Sequence, residues 1–134
     1  VVGKVKKLLG NIRQRKIGIL GLSFKPNTDD VRDSPAFGIL KELKAEGAII
    51  KAYDPVAMEN AKKLLPDIEY CSSAYEVTED CNALLLLTEW DEFKWLDFSR
   101  VKSLLQNPIV IDTRNCLDPH TLKQLGFVYE GVGR

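Results

Sequence analysis

The chain has 134 residues, 45% of them hydrophobic and 28% charged, which suits one compact domain with a core able to fold unaided and leaves too little for two. Nineteen basic residues balance nineteen acidic ones along its length, so nothing marks it as a partner of nucleic acid or of an anionic membrane, and any anion recognition must be local. Three cysteines, Cys71, Cys81 and Cys116, make no even set and no pair with zinc or CxxC spacing; they read as reduced thiols of a cytoplasmic protein that holds no metal.

Residues 1–14 put Val5, Leu8, Leu9 and Ile12 at helical spacing between lysines, which predicts a helix entering from elsewhere. With a valine at position 1 and no segment like a signal peptide, the chain reads as a piece of a longer protein. Residues 16–22 form an almost wholly apolar strand, the kind buried on both faces of a parallel sheet. A loop crowded with charge follows, GLSFKPNTDDVRDSP over 21–35, and its Ser34-Pro35 pair is a helix start with serine as N-cap and proline at the first position. That helix runs to Gly47, and residues 48–53 give a second strand closed by Asp54-Pro55.

A helix over 56–65 precedes a short extended piece at 68–70, a brief helix over 74–80 and a strand over 82–87. The apolar stretch at 83–87 is far too short to span a bilayer. Residues 88–93 leave that strand in a turn or helix, a further helix covers 98–106, and residues 109–112 form a strand ending in an acid. Residues 119–125 form the last helix and 127–130 the last strand. Strands alternating with helices in this rhythm predict a doubly wound, mostly parallel Rossmann-like sheet of about six strands, order 3-2-1-4-5-6.

In such a sheet the ligand lies outside the carboxyl ends of the strands, which singles out the loops at 24–34, 88–93 and 112–115. The first strand is not followed by G-x-G-x-x-G: Gly18 and Gly21 have the wrong spacing, and bulky Phe24 and Lys25 stand where a backbone would approach a pyrophosphate. Asp54 ends the second strand as a ribose-binding acid would, but in a turn with proline. The loop offers side chains instead: Lys25 as a compact cation, Arg32 as a fork suited to phosphate, and Phe24 as an apolar or stacking face. Asp29, Asp30 and Asp33 would pair with Arg32 or the backbone and fix the loop's shape. The residues alone read equally as a ligand contact or as a solvated turn of paired charges. Arg114, after Asp112, reads as a ligand contact or a surface ion pair. Trp90 and Phe93 read as core or interface, His120 as a helix-start or surface residue, and no cysteine has the setting of a nucleophile.

FKPNTDDVRDSP at 24–35, YDP at 53–55, TEWDEF at 88–93 and IDTRN at 111–115, in that order and across nearly the whole chain, closely resemble the C-terminal, UDP-binding domain of the UDP-glucose/GDP-mannose dehydrogenase family. The likeness is nearest to the branch that oxidises UDP-glucose. It implies two Rossmann-like domains joined by a long central helix, with residues 1–14 as the end of that helix and 15–134 as the domain that closes over the substrate. It implies an enzyme, usually a homodimer or larger homo-oligomer, that oxidises a sugar C6 alcohol to a carboxylate in two NAD-linked steps through a thioester. Carried over by position, Phe24, Lys25 and Arg114 would contact the substrate, and Arg32 would reach NAD held mainly by the N-terminal domain. The family's catalytic cysteine lies in a GGxCxPKD-like segment absent from these residues, so no catalytic residue is assigned and the piece should be inactive alone. GDP-mannose, UDP-N-acetylglucosamine and UDP-N-acetylmannosamine stay open as substrates. A non-catalytic Rossmann-like nucleotide-binding module is the reading outside the family.

Overall fold

A computed structural model describes residues 1–32 and 34–132. Six strands, β1 (Lys16–Leu20), β2 (Ile49–Tyr53), β3 (Glu69–Tyr70), β4 (Ala83–Leu86), β5 (Ile109–Asp112) and β6 (Val128–Gly131), form one sheet in the order β3-β2-β1-β4-β5-β6. Every neighbouring pair is parallel, with Ile19 in register between Ala52 and Leu85. The expected order and strand direction are both present. Strand order reverses between β1 and β4, so the loops leaving these two strands flank the natural crevice.

The nearly continuous apolar strands are explained by a layer on each face. Ile17, Ile19, Ile50, Ala52, Leu85 and Ile111 pack under α1 (Val2–Leu9), α2 (Pro35–Ala45) and α3 (Met58–Leu64). Leu20, Leu84, Leu86 and Val110 pack under α4 (Ala74–Thr78), α6 (Phe98–Leu104) and α7 (Pro119–Gln124), with Phe93 of the short α5 (Asp91–Lys94) fully buried among them. Each fully buried Leu or Ile of this kind stabilises the fold by about 1.5–3 kcal/mol. Lys51, polar in mid-strand, has its ammonium at the end of α4, where Nζ donates to the carbonyls of Glu76 (2.9 Å) and Glu79 (3.1 Å).

Gly18 has a packing role. A Cβ there would lie 2.8 Å from Val77 Cγ1 and 3.3 Å from the Val77 carbonyl, so the missing side chain lets α4 settle onto β1. The expected helix over 1–14 is shorter than its periodicity suggested. It ends at Gly10, in the left-handed region at φ 75°, and the Asn11 side chain then accepts from Arg13 N at 3.0 Å in an Asx turn. Ile12 still buries, which is why the pattern ran on past the helix. Lys4 Nζ donates to the carbonyl of Gly131, tying α1 to β6.

Candidate functional site

β1 stops at Leu20, two residues before its apolar run does: Gly21 N still donates to the Tyr53 carbonyl of β2 at 2.9 Å, but the amides after it are claimed from outside the sheet. Gly21, at φ 99°, turns the chain so close to β4 that an added Cβ would sit 2.5 Å from Thr88 Cβ and 2.6 Å from its backbone nitrogen. Leu22 N and Ser23 N then donate to Asp54 Oδ2 at 2.8 and 3.1 Å, and Trp90 Nε1 donates to the same oxygen at 3.2 Å. Asp54 Oδ1 accepts from Val56 N (3.0 Å) and Ala57 N (2.9 Å). A carboxylate with no exposed surface is thus held by five N–H groups from the loops after β1, β2 and β4.

The loops after β4 and β5 are held in the same manner. Thr88 Oγ1 donates to the Ser23 carbonyl at 2.9 Å, and Thr113 Oγ1 to the Leu86 carbonyl at 2.8 Å. Asp112, also without exposed surface, accepts from Arg114 N (3.1 Å), Leu117 N (2.9 Å) and the Tyr129 hydroxyl (2.8 Å). Asp54 and Asp112 each end or follow an apolar strand, and Thr88 follows another. That polar punctuation is the one sequence signal that could have marked them as loop anchors.

On this frame Phe24, half exposed, and Lys25, exposed, stand out from the crevice. Arg114 comes to the same place from the far side. Its Nε donates to the Leu87 carbonyl at 3.1 Å and lies 3.5 Å from the Glu89 carboxylate, and its Nη2 donates to the Phe24 carbonyl at 3.0 Å. Arg114 is therefore braced against the backbone of the loop that carries Phe24 and Lys25. A cleft of about 230 Å³ beside Arg114 is lined by Val1, Pro35, Ala36, Leu87 and Thr113 among others.

Arg32 stands apart from that group, on the far arm of the same loop. Its guanidinium makes a two-point contact with Asp30, Nε to Oδ1 and Nη2 to Oδ2 at 3.1 Å each, and Arg32 N also donates to Oδ1 at 2.9 Å. The Arg32 side chain beside it holds the Asp30 carboxyl below its ordinary value of 3.8. Asp30 thus has the shaping role expected of the acids. Asp29 contributes its carbonyl, which accepts from Asn60 Nδ2 at 2.9 Å, and Asp33 lies outside the described residues. Arg32, Asp30, Thr28 and Asn60 line a cleft of about 560 Å³.

The other expectations find simple places. Trp90 and Phe93 are core, and His120 is exposed in the first turn of α7, whose cap is Asp118. The thiols of Cys71 and Cys116 are pushed up to about 12 and that of Cys81 to about 11, mainly by burial. No group of three or more metal-ligating side chains exists among the described residues, and none of their helices is long and apolar enough to cross a membrane.

The site residues do not fit a dinucleotide gripped by this domain alone. Phe24 and Lys25 occupy the place of a glycine cradle, and all five donors on Asp54 are protein N–H groups, leaving it turned away from any ribose.

Residues 18–119 match the model of the UDP-glucose/GDP-mannose dehydrogenase family, UDP binding domain. The chain is 45% identical over 125 residues to UDP-glucose 6-dehydrogenase of Rhizobium meliloti (strain 1021), covering 93% of the chain and 29% of that relative. A UDP-glucose dehydrogenase structure from the archaeon Pyrobaculum islandicum superposes with a TM-score of 0.80 at 31% identity, over 98% of this chain and 28% of that one. The NDP-N-acetyl-D-galactosaminuronic acid dehydrogenase structure from Methanosarcina mazei Go1 superposes with a TM-score of 0.84 at 27% identity, over 99% and 27%. The chain thus spans less than a third of the length of these proteins. The sheet order, the anchored loops and the family match over 18–119 agree: the chain belongs to the UDP-glucose/GDP-mannose dehydrogenase family, as its UDP-binding domain.

Proposed function

We propose that this domain binds the nucleotide sugar in an NAD-dependent UDP-glucose 6-dehydrogenase, which oxidises the C6 alcohol of UDP-glucose to the carboxylate of UDP-glucuronate. The observation that carries this reading is the hydrogen bond of 3.0 Å from Arg114, after β5, to the Phe24 carbonyl, which braces Arg114 against the loop after β1 that carries Phe24 and Lys25. Lys25 brings a mobile point charge suited to phosphate or a hydroxyl, Arg114 a braced planar donor, and Phe24 an apolar face for the nucleotide. The domain's part in catalysis is positioning and the exclusion of water as domains close over the sugar.

NAD supplies the hydride acceptor, held mainly by an N-terminal domain of the same protein and met here by Arg32 alone. The Arg32 side chain is 86% exposed, so its guanidinium can turn from Asp30 to an anionic partner arriving from solvent. Residues 1–14, helical over Val2–Leu9, are the end of the segment that joins the two domains. The enzyme works in the cytoplasm as a homodimer or larger homo-oligomer.

The test is steady-state kinetics of the complete enzyme carrying Lys25→Ala or Arg114→Ala, with UDP-glucose varied at saturating NAD. A rise in KM for UDP-glucose of roughly tenfold or more is expected for each, the loss of one charge-assisted contact. Unchanged KM in both would remove the site assignment. The second reading, a related nucleotide sugar as substrate, is favoured by the likeness to the Methanosarcina mazei protein. A panel of UDP-glucose, GDP-mannose, UDP-N-acetylglucosamine and UDP-N-acetylmannosamine separates the two by kcat/KM.

A further inference from the structure

We infer that Asp54 is a positioning residue for nucleotide-sugar binding, setting where the Phe24–Lys25 loop stands above the sheet. The inference rests on the reading of Phe24, Lys25 and Arg114 as substrate contacts. A buried carboxylate is costly unless it is met by donors, and here the donors are not local to one turn. Two come from the loop after β1, two from the loop after β2, and one is the indole N–H of Trp90 after β4. One oxygen, Oδ2, holds the β1 loop and Trp90 together at 2.8 to 3.2 Å.

The connection from that oxygen to the candidate contacts is short. Ser23, held by its amide on Asp54, is the residue before Phe24, and its hydroxyl donates to the Lys25 carbonyl at 2.8 Å. Its carbonyl accepts from Thr88, and the next carbonyl, that of Phe24, accepts from Arg114. If Asp54 lost its grip, Ser23 would shift and both Phe24 and Lys25 would move with it, along with the brace to Arg114. Asp54 stands where a dinucleotide-binding sheet keeps an acid for ribose, and here the same position serves the ligand through the backbone of another loop.

Asp54→Asn keeps the shape but presents an NH₂ donor to N–H groups that need an acceptor. Trp90→Phe keeps the ring in place and removes one N–H from Oδ2. In the full-length enzyme, KM for UDP-glucose is expected to rise roughly tenfold or more in Asp54→Asn and about two- to fivefold in Trp90→Phe, with KM for NAD unchanged. A purely structural Asp54 would instead lower the melting temperature or the active fraction, and so kcat, while leaving both KM values alone. That pattern in the folded variants overturns the inference. Should Asp54→Asn not fold, Trp90→Phe decides: a raised KM for UDP-glucose alone supports the inference and an unchanged one overturns it. Lys25→Ala, measured in parallel, keeps the two ideas apart. An unchanged KM both there and in Arg114→Ala overturns the site reading and the inference with it, whereas a raised KM in either of these with Asp54→Asn and Trp90→Phe unchanged overturns the Asp54 role only.

Discussion

Arg114 donates from Nη2 to the carbonyl of Phe24 at 3.0 Å, joining residues 90 positions apart and fixing the loop after β5 to the loop after β1. With Nε on the Leu87 carbonyl, the guanidinium presents two in-plane N–H donors to two separate carbonyls, a fixed geometry that a lysine ammonium does not copy. Arg114→Lys in the complete enzyme is therefore expected to raise KM for UDP-glucose nearly as far as Arg114→Ala, roughly tenfold or more. Recovery of the wild-type KM with lysine would show that charge alone suffices and that the brace is unimportant. Steady-state kinetics at fixed NAD decides.

Gly18 separates packing from ligand binding. Its added Cβ would meet Val77 Cγ1 at 2.8 Å and Leu84 Cδ1 at 3.2 Å, deep between β1 and α4 and away from the crevice. Gly18→Ala should lower stability by about 1–3 kcal/mol, the usual cost of overpacking, read as a lower urea midpoint with an unchanged slope. Adding Val77→Ala should recover part of the loss. KM for UDP-glucose should not move, whereas a phosphate-cradling glycine would raise it.

Much of the fold was legible because the strands are buried on both faces and the breaks are made by strong local signals. Ser34 caps α2 through Ala36 N at 3.3 Å, and Pro35 opens the helix, as the pair implies. The bounds of β5, residues 109–112, follow from the Asn107-Pro108 break and the closing acid. What sequence could not give is the use made of polar groups over long separations. Asp54 looks like half of a ribose site until Leu22, Ser23 and Trp90 are seen to converge on it, and the partner that shares Oδ2 lies 36 residues away. Arg114 read equally as a ligand contact or a surface pair; its contact with Glu89 and its two carbonyl partners make it a brace on protein first. The helix predicted over 1–14 stops early for the opposite reason: a single glycine at positive φ outweighs a continuing apolar period.

The Asp30–Arg32 pair predicts a local pH response. The Asp30 carboxyl is held below 3.8 mainly by its hydrogen bonds from Arg32, so its folded value is depressed relative to the unfolded chain. The sign follows: the pairing is fully present above 3.8 and is lost as pH falls through the folded value. Both groups are open to solvent, so the effect belongs to the loop and should leave global stability nearly unchanged. Carboxyl carbon NMR should place Asp30 below 3.8, and Arg32→Ala should return it toward that value. No movement in the variant would mean that the pair does not persist in solution.

The three thiols predict behaviour at the other end of the scale. Cys71 and Cys116 are pushed up from 9.0 to about 12 and Cys81 to about 11, in each case first by burial. Asp112 adds to the shift at Cys116, whose Sγ lies 3.8 Å from Oδ1. Because the folded values lie above the unfolded one, burial costs no ionisation energy below 9.0. As pH rises past 9.0 the unfolded chain loses its thiol protons first, so stability falls progressively up to the range of 11 to 12. Tyr53 and Tyr70, raised from 10.0 to about 12, steepen the decline. The urea midpoint should therefore be lower at about pH 10.5 than at about pH 8, where the linked groups bind equally in both states. Alkylation by iodoacetamide near neutral pH should be slow in the native protein and fast in urea, since only a thiolate attacks. Rapid native labelling at Cys116 would show an ionised thiol at the end of β5 and would reopen the question of a nucleophile in this domain.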